Sequence, residues 1–139
     1  MALDRPAPAT ADSPVKPNIG VFLCKCGKNI GGSVDVDSLA HAVEALPAVK
    51  LVQVNTYTCS EPGQAEIETA IAEHKLEKIV VAACSPRLHG PTWQELLRRS
   101  GLNPAVVEVA NIREQSSCSL LYTSPSPRDF KYDLVCRLL

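Results

Sequence analysis

An α/β fold is predicted for this chain: a three-layer, doubly wound, mostly parallel four-stranded sheet with helices on both faces. Three features of the sequence predict it. Four short apolar runs alternate with segments of helical period. The third run, Lys78 to Ala83, is apolar on both faces, as the centre of a parallel sheet covered by helices requires. Each strand signal also ends on a cysteine or a polar turn, the edge at which parallel sheets bind ligands.

Residues 1–17 carry four prolines and few large apolar side chains, so they cannot repay the entropy of ordering and read as a disordered leader. From Asn18 a first strand runs through Ile19-Gly20-Val21-Phe22-Leu23 into Cys24-Lys25-Cys26-Gly27. A glycine-containing loop follows, then a helix opening near Asp37-Ser38, with Leu39, Val43 and Leu46 on one face and Pro47 as its stop. The second strand, Val49 to Tyr57, leads to Cys59 and to a helix beginning at Glu61-Pro62-Gly63-Gln64. Ala65, Ile67, Ile71 and Ala72 are expected to pack inward there, while Glu66, Glu68, Glu73 and Lys75 meet water.

The third strand is expected to be the most buried, and it meets Cys84-Ser85-Pro86. Pro91 to Ser100 reads as a third helix with Trp93, Leu96 and Leu97 apolar and Gly101 as its cap. A fourth strand, Ala105 to Ala110, completes the domain, residues 18–115.

After Gln115 the pattern breaks. Residues 116–139 read as a junction and a non-native tail: Leu120 to Asp129, and again Asp133 to Leu139, resemble an in-frame translation of sequencing-library adapter. Cys136 is therefore set aside, and the domain is expected to be a fragment of a longer protein.

Charge narrows function. With 14 Lys and Arg against 15 Asp and Glu, and no basic run, neither nucleic acid nor anionic lipid is an expected partner. No segment has the length and hydropathy of a membrane span or a signal peptide, so a cytoplasmic location is expected. In a reducing cytosol, six cysteines point to metal ligation or redox chemistry before a disulfide framework.

Cys24 and Cys26, two apart on an extended segment, could offer two thiolates to one site, and Cys59 and Cys84 recur at equivalent strand ends. The plainer reading of each is a buried structural thiol. Exchange through a Cys24–Cys26 disulfide is a third option, weakened by the CxC spacing. Arg87 and His89 stand with Cys84 in one predicted loop: Arg87 could favour a neighbouring thiolate or pair with Glu114, and His89 could cap the following helix. Gly27, Gly31 and Gly32 lack the following Lys-Ser or Lys-Thr of a phosphate loop. A flavin mononucleotide site would have only Tyr57 and Trp93 for stacking. No hydrolase triad or zinc-protease motif is present.

Gly20-Val21-Phe22-Leu23-Cys24-Lys25-Cys26-Gly27, Cys59-Ser60-Glu61-Pro62-Gly63-Gln64, Ala83-Cys84-Ser85-Pro86-Arg87-Leu88-His89 and Ala110-Asn111-Ile112-Arg113-Glu114-Gln115 resemble, in order, the N-terminal domain of the A-subunit of heterodisulfide reductase. The resemblance implies an iron–sulfur flavoprotein of electron transfer or flavin-based electron bifurcation, an oxidoreductase when complete. It further implies a [4Fe-4S] cluster held or surrounded by Cys24, Cys26, Cys59 and Cys84, with Arg87 and His89 beside the cofactor. FAD would sit in a module absent from this chain, so the fragment alone is not expected to turn over. The implied partners are that FAD module, the B and C subunits of heterodisulfide reductase, and hydrogenase or ferredoxin-type electron carriers. Members of the family are similar in placing a further Cys after the Arg-Glu-Gln motif, where this chain has Ser116 and Ser117 before Cys118. The alternative within the same resemblance is a non-redox docking domain with buried structural cysteines.

Overall fold

A computed structural model describes residues 17–117. The expected leader, apart from Pro17, and the adapter-like tail lie outside the described residues, as do Cys118 and Cys136.

Four strands, β1 (Ile19–Cys24), β2 (Val49–Asn55), β3 (Lys78–Ala83) and β4 (Val107–Asn111), form one sheet of order β2-β1-β3-β4 in which every pairing is parallel. The helices are α1 (Lys28–Gly31), α2 (Val36–Glu44), α3 (Glu61–His74) and α4 (Pro86–Arg99). Side chains alternate across β1. Val21 and Leu23 join Ile30, Val36, Leu39 and Val43 in one core, whereas Phe22 and Cys24 join Ile67, Ile71, Trp93, Leu96 and Leu97 in another. The α1–α2 layer thus covers one face and the α3–α4 layer the other, giving the expected three layers.

The connections out of β1 and β3 run to opposite sides of the sheet, β1 to β2 and β3 to β4. The carboxyl ends of β1 and β3 therefore flank the topological switch point, where the two diverging connections leave a crevice. Cys24 ends β1, and Cys84 directly follows β3.

Several boundaries differ from expectation for local reasons. β2 stops at Asn55, two residues before Tyr57, because Tyr57 to Ser60 folds into a turn in which the Ser60 amide and hydroxyl both donate to the Tyr57 carbonyl. β4 begins at Val107, since Pro104–Val106 forms a 3-10 turn capped by Asn103. In α3 the buried positions are Gly63, Ile67, Ala70 and Ile71; Ala65 and Ala72 are exposed, so the expected inward face is rotated onto Gly63 and Ala70. β1, buried at all six positions, exceeds β3, whose Lys78 is exposed. It lies between two strands just as β3 does, but its first residue is apolar.

The largest correction concerns α4. It begins at Pro86, five residues before the expected start at Pro91, because Ser85 caps it by accepting from the Arg87 amide and Pro86 occupies the first turn, where a missing N–H costs nothing. Pro91 is accommodated inside the helix. The helix ends as expected, with Gly101 in the left-handed region at φ 77° just after the Ser100 cap.

Caps fix the helices beside the cysteines. Ser60 accepts from the Gly63 amide at 3.3 Å at the start of α3. Ser60→Ala is expected to lower stability by about 1 kcal/mol, read as a lower urea midpoint with unchanged slope; an unchanged midpoint would show that the turn, not the cap, holds α3. Asp35 caps α2 through the Ser38 amide and hydroxyl, and these bonds hold its carboxyl below the ordinary carboxylate range. A lowered carboxyl stabilises the fold at pH above its unfolded value, and that contribution is lost as pH falls through the folded value.

Candidate functional site

The four cysteines occupy the carboxyl edge of the sheet, on three successive turns. Cys24 is nearly fully buried at the end of β1; its sulfur accepts from the Thr58 amide at 3.4 Å and its thiol donates to the Thr56 carbonyl at 3.6 Å. The turn after β2 is thereby tied to β1. Cys26 is half-buried in the turn that follows, with φ 44°, next to Gly27 at φ 56°. A non-glycine residue in the left-handed region is uncommon and carries backbone strain. That turn sets Cys26 Sγ 3.8 Å from Cys84 Sγ, across the switch point.

Cys84 is buried, and its other neighbour is a cation: Arg113 Nη1 lies 3.8 Å from its sulfur. Cys59 is half-buried against the α3–α4 core, its carbonyl held by Gln64 Nε2 at 2.9 Å. Burial is the main cause that pushes the Cys59 thiol above its ordinary range, with the sulfurs of Cys24 and Cys84 adding to it. Cys26 is pushed up by burial first, then by Cys84 and Cys24, with Asn29 acting in the opposite direction. The thiolate is the reactive form, so raising the pKa leaves less of it at neutral pH. Alkylation of Cys26 is accordingly expected to be slower than that of a free thiol at neutral pH and to keep rising with pH beyond the point at which a free thiol levels off. Residue-resolved iodoacetamide rates from about pH 7 to 10 would check this, and an early plateau would contradict it.

The structure thus gathers the predicted thiols at one edge, with Cys26 and Cys84 in contact. Among the described residues, however, no group of three or more His, Cys, Asp or Glu side chains stands ready around a common metal position. The donor set suits iron–sulfur ligation in kind, since all four groups are soft sulfur donors in a largely apolar setting. Loading would require the Cys26–Cys84 contact to open.

Arg87 and His89 are not in a loop. Both lie in the first turns of α4, Arg87 exposed and His89 half-buried with its ring centroid 6.5 Å from that of Trp93. Ser85 holds the capping role considered for His89. The Glu114 carboxylate considered for Arg87 instead accepts from Asn111 Nδ2. Trp93 is 1% exposed and cannot stack on a flavin, while Tyr57 is 55% exposed.

The residue that sequence reasoning missed is Arg113. Asn111 ends β4 and its side-chain carbonyl accepts from the Glu114 amide, which folds Arg113–Ser117 into one wide turn. Ser117 is buried and its hydroxyl donates to the Asn29 carbonyl, seating this turn on α1. The available signal was positional: Arg113 lies two residues past the end of the fourth strand, as Cys26 lies two residues past the end of the first.

No protein-family model matches the chain. Curated proteins do. The chain is 48% identical over 102 residues to the A-subunit of the H(2):CoB-CoM heterodisulfide,ferredoxin reductase of Methanothermobacter thermautotrophicus, a match that covers 73% of this chain and 16% of that protein. It is 47% identical over 102 residues to the iron-sulfur A-subunit 2 of the CoB–CoM heterodisulfide reductase of Methanopyrus kandleri, again 73% of this chain and 16% of the relative. With the A-subunit of the ferredoxin/F(420)H(2)-dependent CoB-CoM heterodisulfide reductase of Methanosarcina acetivorans, identity is 46% over 99 residues, 71% of this chain and 12% of the relative. The chain therefore spans about a sixth or less of the length of these relatives.

Proposed function

Because the chain carries a domain of the A-subunit family of heterodisulfide reductases, we propose that this domain serves electron transfer by holding a [4Fe-4S] cluster at the switch point of its sheet. The observation that carries the reading is the meeting of thiols from three separate turns at one edge, with Cys26 and Cys84 in contact at 3.8 Å. In this reading Cys24, Cys26, Cys59 and Cys84 are the ligands. The cluster, when bound, supplies a one-electron redox centre.

The remaining work belongs to the chain. The Thr58 amide donates to the Cys24 sulfur and fixes it at the end of β1. Arg113 places positive charge beside Cys84, which stabilises an anionic centre. In this reading Arg87 and His89, on the first turns of α4, stand on the cofactor's approach. The two core layers exclude water from the inner side. Electron transfer or bifurcation with an FAD module, the B and C subunits, and hydrogenase or ferredoxin-type carriers belongs to this proposal for the complete protein. Among the described residues no helix is long and apolar enough to cross a membrane.

Anaerobic reconstitution followed by iron and sulfide analysis and EPR after reduction tests it. About four irons per chain, lost on Cys59→Ala or Cys84→Ala, is the expected result; a folded, iron-free chain would remove the proposal. A second reading, a docking domain with structural thiols, is favoured by the burial of Cys24 and Cys84 and by two exposed apolar side chains, Tyr57 in the turn after β2 and Leu88 near the start of α4. It expects Cys24 and Cys84 to resist alkylation in the metal-free chain.

A further inference from the structure

The geometry points to a reversible disulfide between Cys26 and Cys84, formed in the metal-free domain by exchange with a low-molecular-weight disulfide. This is a different pair from the adjacent Cys24 and Cys26 that the CxC spacing suggests. It rests on the arrangement of the four sulfurs, whatever the domain goes on to bind.

The two Sγ atoms are in contact at 3.8 Å. A bonded pair stands at about 2.05 Å, so closure requires about 1.8 Å of sulfur movement, within reach of small side-chain rotations. The competing thiols are otherwise engaged. Cys24 is held between the Thr58 amide and the Thr56 carbonyl on the far side of β1. Cys59 sits in the turn fixed by Gln64 and Ser60. Cys26 is also the more exposed partner, which lets a small reagent reach it first, while Cys84 waits buried beneath it with Arg113 at 3.8 Å.

The exchange then runs in two displacements. Cys26, losing its proton to solvent, attacks one sulfur of the reagent; the reagent's S–S bond breaks and its first half leaves as a thiol. Cys84, also deprotonated, attacks Cys26 Sγ in the mixed disulfide; the Cys26–Cys84 bond forms and the second half leaves. The two cysteines give up two electrons and two protons, and the reagent takes them up as two thiols. Arg113, beside Cys84, faces the negative charge as it passes from the attacking Cys84 sulfur to the departing sulfur of the reagent. Dithiothreitol reverses both steps.

If the four thiols hold a cluster, the bridge withdraws two of the ligands and closes the site until it is reduced. That corollary rests on the proposed function, but the bridge does not.

The test uses the whole chain, reduced, metal-free and treated with oxidised glutathione, then alkylated, digested with trypsin and mapped. The expected result is a linked pair of peptides, Cys26–Lys28 joined to Ile79–Arg87, with both free peptides falling at least about tenfold together and returning on addition of dithiothreitol. Cys59→Ser should leave the link unchanged. Three outcomes overturn the inference: a stable glutathione adduct on Cys26 with Cys84 still free to alkylate, a Cys24–Cys26 link, or no reaction at either residue. Iron is absent from the assay, so failure of the cluster reading cannot produce any of these results. The corollary is read separately, as iron uptake that falls in the oxidised chain and recovers after reduction.

Discussion

Gly63→Ala is expected to destabilise the domain by roughly 2–3 kcal/mol, in the range of overpacked sites, although helix propensity alone predicts the opposite sign. Alanine inside a helix is favoured over glycine by about 1 kcal/mol. At Gly63, however, a Cβ would stand 2.5 Å from the Tyr57 carbonyl oxygen and 2.7 Å from that of Thr58. Both are backbone atoms in the turn that Ser60 closes and that Thr58 ties to Cys24, so neither can move without pulling the Cys59 turn away from β1. The substitution should therefore lower the urea midpoint and also speed alkylation of Cys24 by loosening its hydrogen bonds. A raised midpoint would mean that the turn yields at little cost, and the close approach of α3 would lose its importance.

Trp93→Ala is expected to cost roughly 3–5 kcal/mol, enough to consume a large share of the 5–15 kcal/mol that typically holds a domain folded. Trp93 is among the largest fully buried side chains and packs with Leu96, Leu97 and Phe22 beneath β1 and β3. Its indole N–H has no hydrogen-bond partner among the described residues. A buried donor without a partner is itself a cost. Trp93→Phe removes that donor while retaining most of the ring, so it should cost far less than the alanine change. Urea unfolding of the two variants gives the comparison, and equal losses would show that a phenyl ring recovers none of the packing that the indole supplies.

The architecture was readable because burial writes period into sequence. Lys78 to Ala83, apolar at every position but the first, marked a central strand, and Leu39 with Val43 marked the inner face of α2. Ala65 and Ala72 misled, since alanine is small enough to sit on either face, and the rotation of α3 is set by the backbone approach at Gly63 that no hydropathy pattern records. The start of α4 was hidden by Pro91, read as a beginning when Pro86 and the Ser85 cap were the beginning. At the site, strand ends located the thiols, but their pairing depends on the left-handed turn at Cys26 and Gly27, which draws Cys26 toward Cys84. Arg113 was missed because its contact with Cys84 spans 29 positions and two strands, a relation that only the sheet creates.

The strand order β2-β1-β3-β4 also sets a timetable for the nascent polypeptide. β1 gains β2 early but lacks its other neighbour until β3 has left the ribosome, and Cys84 follows Cys26 by 58 positions. At about 5–20 residues per second, that gap lasts roughly 3–12 s. For those seconds the first two thiols face the cell without the fold that later shelters them, so assembly of the sulfur edge falls to the last strands translated.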